Sequence, residues 1–162
     1  MRTTTTSIPE TVRTIIDAHR HREGALLPML HGIQDALGWV PPEATPMLAE
    51  ALKRSRAEIH GVISFYHHFR TTPPGRHVLQ LCRAESCQAM GAAALEAHAH
   101  ARLGIDYGET TADGAITLEA VYCLGNCACS PSLRVGDEIV GRVDAARFDD
   151  IVAELREAEV SV

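Results

Sequence analysis

Five cysteines stand in this sequence of 162 residues, and four of them form two close pairs, Cys82 with Cys87 and Cys123 with Cys127. Thiolates ligate soft metals and also act as redox nucleophiles, so their spacing decides between metal binding, thiol exchange and inert burial. Each pair follows a stretch that reads as a β-strand, His77 to Cys82 and Ala115 to Tyr122,. If these strands are parallel, their C-terminal ends share one edge of the sheet, and pairs with 35 residues between them in sequence converge in space,. Four thiolates at one point imply an inorganic centre. Structural zinc sites usually pair ligands as C-x2-C, or at most C-x4-C, around one small ion. The loops here, C-x4-C and C-x3-C, are wider than the usual C-x2-C and suit an iron–sulfur cluster, because inward-pointing N–H groups offset the charge of thiolates and sulfides,. A thiol redox catalyst would show C-x-x-C at the first strand-to-helix turn, which Arg83-Ala84-Glu85-Ser86 interrupts,. Buried, unligated cysteines leave unexplained why four of five fall at two strand ends.

The neighbours of these loops add less. Cys129 forms C-x-C with Cys127, too tight a loop to wrap a cluster edge, and reads as a small buried thiol outside the ligand set,. Gly125 and Asn126 favour a turn between Cys123 and Cys127,. Arg83 lies between two ligands, either raising the cluster potential or exposed without such a role,. The nine histidines fall mostly on predicted helices, and none pairs with the cysteine loops as a Rieske-type centre requires,. His67-His68 reads as a polar helix end. No G-x-G-x-x-G follows a strand and no G-x-x-x-x-G-K-[ST] occurs, so neither a dinucleotide nor a nucleoside triphosphate site is visible,.

The elements that position the cysteines divide at Thr71 to Gly75, a TTPPG segment that breaks helical and strand patterns,. We place a helical bundle at 1–72 and a cluster-bearing domain at 73–162. In the first part, Ser7 to Glu10 forms a capping box ahead of Val12, Ile15 and Ile16, and Leu26 to Leu37 makes a second apolar stripe that Gly38 ends,. Pro41-Pro42 separates a third helix with Met47, Leu48 and Leu52, and a second capping box at Ser55 to Glu58 opens a fourth with Ile59, Val62, Ile63 and Tyr66,. Phe65, Tyr66 and Phe69 at its end either anchor an interface or seal the bundle against the second domain,. Downstream, the second part predicts a strand at 77–82, an Ala-rich helix over 88–103 and a strand at 115–122. A hairpin turning at Gly136-Asp137 and a final helix capped by Asp144 complete it,. The order βαβββα is thioredoxin-like, and the class is α/β.

Composition fits that reading. Hydrophobic residues at 46% and charged residues at 22% are ordinary globular usage,. A net charge of -6 with scattered Lys and Arg argues against nucleic acid and for a protein partner,. No apolar run approaches the roughly 18 residues of a membrane span, and the start, MRTTTTSIPE, lacks the apolar region of a secretory signal and reads as a frayed polar tail,. The expectation is a soluble cytoplasmic chain, where a reducing compartment favours ligation over disulfides.

Cys82-Arg83-Ala84-Glu85-Ser86-Cys87 followed by Cys123-Leu124-Gly125-Asn126-Cys127 resembles the thioredoxin-like 2Fe-2S ferredoxins that serve as small subunits of NAD-linked complexes. The likeness covers nearly the whole chain. Leu27-Pro28 through Gln34, Gly38, Pro41-Pro42 and Gly61 to Tyr66 resemble the helical half of the small subunit in respiratory complex I, NAD-reducing hydrogenases and NAD-dependent formate dehydrogenases. The resemblance implies that Cys82, Cys87, Cys123 and Cys127 bind one 2Fe-2S cluster, and that a larger partner holds FMN and the NAD site. Residues 78–91, VLQLCRAESCQAMG, look most like the gamma subunits of soluble molybdenum-containing formate dehydrogenases, which implies an electron-transfer subunit reaching a molybdenum catalytic subunit through the flavin partner. Cys129 departs from the apolar residue expected in most relatives. The alternatives are the equivalent small subunit of complex I or of an NAD-reducing hydrogenase, a free-standing ferredoxin or redox sensor, and a zinc-stabilised interaction domain.

Overall fold

The computed structural model describes residues 7–157, so the threonine-rich start lies outside the described residues. The chain divides between Pro73 and Pro74 into two compact units.

The first unit has four helices: α1 (Ile8–His19), α2 (Leu26–Leu37), α3 (Ala44–Leu52) and α4 (Arg56–Phe65). Each boundary has a local cause. The Ser7 amide donates to Glu10 Oε2 at 3.0 Å, closing the capping box of α1, and Gly38 takes the left-handed conformation, φ +82°, that ends α2,. At α4 the Glu58 amide donates to Ser55 Oγ and the Ser55 amide to the Glu58 carboxylate. That N–H, with hydrogen bonds from Arg54 and the Ser55 hydroxyl, holds Glu58 down to about 2,. Val12, Met29, Leu30, Ile33, Leu48, Ile59 and Phe69 fill the core of this unit. The buried Gln34 staples the segment after α4 to α2, donating to the His68 carbonyl at 2.8 Å and accepting from the Arg70 amide at 2.7 Å. The three aromatic residues read together from sequence differ in burial, although the Tyr66 and Phe69 rings still meet edge-on at 6.2 Å. Phe69 is buried beyond the end of α4, whereas Phe65 and Tyr66 are 73% and 42% exposed.

The second unit holds a four-stranded sheet in the order β2-β1-β3-β4, with β1 (His77–Cys82), β2 (Ile116–Val121), β3 (Ser132–Val135) and β4 (Glu138–Gly141). β1 and β2 are parallel, and β3 and β4 are antiparallel to their neighbours, as thioredoxin-like order requires. Leu79, Leu81, Ile116, Leu118 and Leu133 alternate onto one face and form a core with Leu95, Ala99, Phe148 and Val152,. The residues between them make a polar row on the other face, where Arg134 donates to Gln80 at 2.7 Å and Gln80 to Glu119 at 2.8 Å. The hairpin turns at Gly136, φ +57°, with Val135 opposite Glu138.

One element differs from the sequence reading. The helix expected over 88–103 is two, α5 (Glu85–Ala89) and α6 (Ala92–Leu103), because Gly91 is left-handed at φ +95° and breaks the run,. The first helix thus starts earlier and carries Cys87. α7 (Ala145–Glu157) closes the unit, with the Asp144 carboxylate accepting from the Arg147 amide at 2.9 Å,. Among the described residues, no helix is long and apolar enough to cross a membrane.

Candidate metal centre

Parallel pairing of β1 with β2 sets the site. Cys82, the last residue of β1, lies opposite Val121, the last of β2, and the Arg83 amide donates to the Val121 carbonyl at 2.8 Å. The chain therefore leaves both strands at one sheet edge. One exit turns directly into α5, which puts Cys87 back beside Cys82. The other bends at Cys123, whose φ of +104° is unusual for a residue with a Cβ, and again at Gly125, φ +77°. Backbone held so far from ordinary minima costs of order 1–3 kcal/mol and is typical of ligand-holding loops. The bend directs the Gly125 amide at Cys123 Sγ, 3.3 Å away, and brings Cys123 Sγ to 3.8 Å from Cys127 Sγ.

That separation is chemically informative. Two sulfurs bound at about 2.3 Å to one tetrahedral metal stand about 3.8 Å apart. The other pair is also in contact, with Cys87 hydrogen-bonded to the Cys82 sulfur. The thiols thus stand as two pairs, and among the described residues no three His, Cys, Asp or Glu side chains group around one point. Cys82 and Cys87 are buried, while Cys123 and Cys127 are exposed.

Electrostatics couples the pairs. Burial pushes the Cys82 thiol up, but hydrogen bonds from the Ala84 amide, from Cys87 and from the Leu124 and Cys123 amides outweigh it and hold the thiol below its ordinary range,. Cys127 moves the other way, raised by its hydrogen bond to Cys123 and by the charges of Cys123, Cys87 and Cys82. The neighbouring charges oppose ionisation of Cys127, a penalty that a cationic centre would remove by deprotonating the thiol,. Paired sulfurs with amides aimed at them are the donor set that a cluster of two irons takes, so the residues present fit a 2Fe-2S group.

Cys129 stands apart. It ends a short 3₁₀ turn, Cys127–Cys129, and is half-buried where sequence reads a small buried thiol. Arg83 is occupied as well: its Nε donates to Glu96 at 3.0 Å and its guanidinium lies 5.2 Å from the Tyr107 ring centroid. Its charge is anchored to α6, while its backbone joins the strand ends.

Sequence reasoning missed the contacts that clamp the two loops together. The Ser86 and Ser130 hydroxyls stand 2.9 Å apart, each within 3.1 Å of the Cys127 carbonyl, and Cys87 Sγ lies 3.4 Å from Ser130 Oγ. These link positions more than 40 residues apart. Gly141 is the other omission. A Cβ there would fall 2.6 Å from the Cys129 Cβ and 2.7 Å from its carbonyl oxygen, so only glycine lets β4 pass under the second cysteine loop. Gly141→Ala is expected to destabilise by about 1–3 kcal/mol, as overpacking does, and to lower cluster content. Gly61→Ala, with open space around it in α4, should be neutral or slightly stabilising,. Thermal unfolding of the two variants checks this, and an unshifted Gly141→Ala would contradict it.

Residues 12–156 match the thioredoxin-like 2Fe-2S ferredoxin family. The chain is 41% identical over 138 residues to an NADH-quinone oxidoreductase subunit of Rhizobium meliloti, covering 85% of this chain and 82% of that one. It is 31% identical over 139 residues to the NADP-reducing hydrogenase subunit HndA of Solidesulfovibrio fructosivorans, covering 86% and 81%. The crystal structure of an air-oxidised NAD+-reducing NiFe hydrogenase superimposes with a TM-score of 0.69 at 29% identity, covering 82% of this chain and 23% of that one. With the matched segment enclosing both cysteine pairs and most of both units, this chain belongs to the thioredoxin-like 2Fe-2S ferredoxin family and carries the 2Fe-2S cofactor of that family.

Proposed function

We propose that Cys82, Cys87, Cys123 and Cys127 hold the 2Fe-2S cluster, and that the chain is the electron-transfer small subunit of an NAD-linked oxidoreductase complex. The observation that carries the reading is the arrangement of two ligand-like thiol pairs at one sheet edge, with Cys123 and Cys127 3.8 Å apart and exposed. The bound cluster supplies a one-electron donor and acceptor. The protein holds the thiolates, directs the Ala84, Cys123, Leu124 and Gly125 amides at sulfur, and leaves one side of the site open to a redox partner.

The partner follows from the relatives. An NADH-quinone oxidoreductase and an NADP-reducing hydrogenase both contain a chain like this one, which supports a larger subunit holding FMN and the NAD site beside it. The chain spans 23% of the matched chain of the NAD+-reducing NiFe hydrogenase structure, so the complex's overall activity is part of the proposal. The names of the relatives favour a complex I or hydrogenase assembly. The formate dehydrogenase reading, with a molybdenum catalytic subunit, rests on the sequence of residues 78–91 alone. Purifying the native complex, identifying its subunits and assaying NAD reduction with formate and with hydrogen separates them. A molybdenum subunit with formate-dependent turnover supports the formate reading, and a quinone- or hydrogen-linked complex overturns it.

A further inference from the structure

A groove of about 640 Å³ opens beside both cysteine loops, wholly within the second unit. Met90, Ala94, Leu95, Ala128, Pro131 and Val143 make its lining largely apolar. It adjoins the metal centre directly. Met90 follows the helix that carries Cys87, Ala128 lies between Cys127 and Cys129, and Met90 is 62% exposed. The sulfur site and the apolar groove therefore form one continuous surface.

Its charges have a sign. Arg142 stands at the rim, exposed, in a left-handed conformation at φ +54° that its amide maintains by donating to the Cys129 carbonyl. Among the described residues no ion pair uses its guanidinium. The N-cap of the twelve-residue α6, Gly91, lines the same groove and gives no side-chain cap, which leaves the positive end of the helix dipole open,. The one acid in the lining, Asp144, is engaged in capping α7. The charge left at this rim is positive, which complements a carboxylate on the occupant, and the continuity of the groove with the sulfur site suits a redox partner that must come close to the cluster,.

We infer that this groove is the docking site for a segment of the redox partner that presents an apolar side chain next to a carboxylate, the apolar group entering between Met90 and Pro131 and the carboxylate meeting Arg142. The inference rests on the proposed function, since it assumes that a flavin subunit is the partner. It adds which surface that subunit covers.

The test uses the full chain recombined with the flavin subunit resolved from the native complex. Ala94→Trp fills the groove from an exposed helix position, and Arg142→Asn removes the charge with a residue that tolerates left-handed backbone,. Both variants are checked for the cluster spectrum before use. Expected are at least about tenfold weaker binding for Ala94→Trp, and about threefold weaker binding with a shallower salt dependence for Arg142→Asn. Parental affinity in both cluster-loaded variants overturns the docking site and leaves the proposed function standing. A change in self-association with unchanged flavin-subunit binding assigns the groove to a second copy and also overturns it. If the parental chain itself fails to bind the flavin subunit, the proposed function falls first and the inference with it.

Discussion

Replacing Cys82, Cys87, Cys123 or Cys127 by Ser should each cut the visible iron–sulfur absorption to about a fifth or less of the parent, because a 2Fe-2S centre held by four thiolates loses one of its iron anchors. Cys129→Ser should leave the spectrum nearly unchanged. The four named sulfurs are those in mutual contact or electrostatic reach, with amides or thiols aimed at them. Among the four, losses at Cys82 should be hardest to rescue with added iron and sulfide, since it is buried and gathers hydrogen bonds from three amides. Absorption and circular dichroism of anaerobically purified variants check the series. Loss of the cluster in Cys129→Ser with retention in Cys127→Ser would move the fourth ligand to Cys129.

Deleting residues 1 to 70 should leave a coloured protein that no longer co-purifies with a flavin subunit, abolishing NAD-linked turnover while the spectrum survives. Every contact described to a cysteine sulfur comes from residues 82–130, and the second unit has its own core of Leu79, Leu118, Leu133 and Phe148. What the deletion removes is an exposed aromatic pair, Phe65 and Tyr66, with rings 5.0 Å apart and edge-on, and a groove of about 550 Å³ lined by Leu26, Leu27, Val62 and Tyr66. Exposed aromatics beside an apolar groove are of the type that anchors interfaces. A stable interface needs about 800 Å² per partner, more than the groove beside the cysteines supplies, so loss of the helical contact should be decisive. Stoichiometric co-purification of the truncated chain would place docking in the second unit alone.

Local chemistry made most of this architecture readable from sequence. Both capping boxes, the Gly38 stop, the Gly136-Asp137 hairpin turn and the Asp144 cap are set by side chains within four residues of the backbone they govern,. The cysteine pairs were legible for the same reason: alternation gave two strands, and parallel strands put their C-terminal ends together. What was not legible depends on distant contacts or on φ values that composition does not report. The break at Gly91 is hidden because a lone glycine among alanines is also tolerated inside a helix,. Phe69 is buried while Phe65 and Tyr66 are exposed, and the backbone on either side of it is held by Gln34, more than 30 residues upstream. The Ser86–Ser130 clamp and the room that Gly141 leaves under Cys129 join β4, α5 and the second loop, and no local signal marks either. The strained bend at Cys123 gave no local sign either, since it falls on a residue other than glycine.

The most direct measurement is the identity of the inorganic centre. Iron, zinc and acid-labile sulfide should be measured per chain in protein purified anaerobically from its native complex. Two thiol pairs require about two iron and two sulfide per chain, with zinc well below stoichiometric. One zinc per chain without sulfide, or four iron per chain, would contradict it.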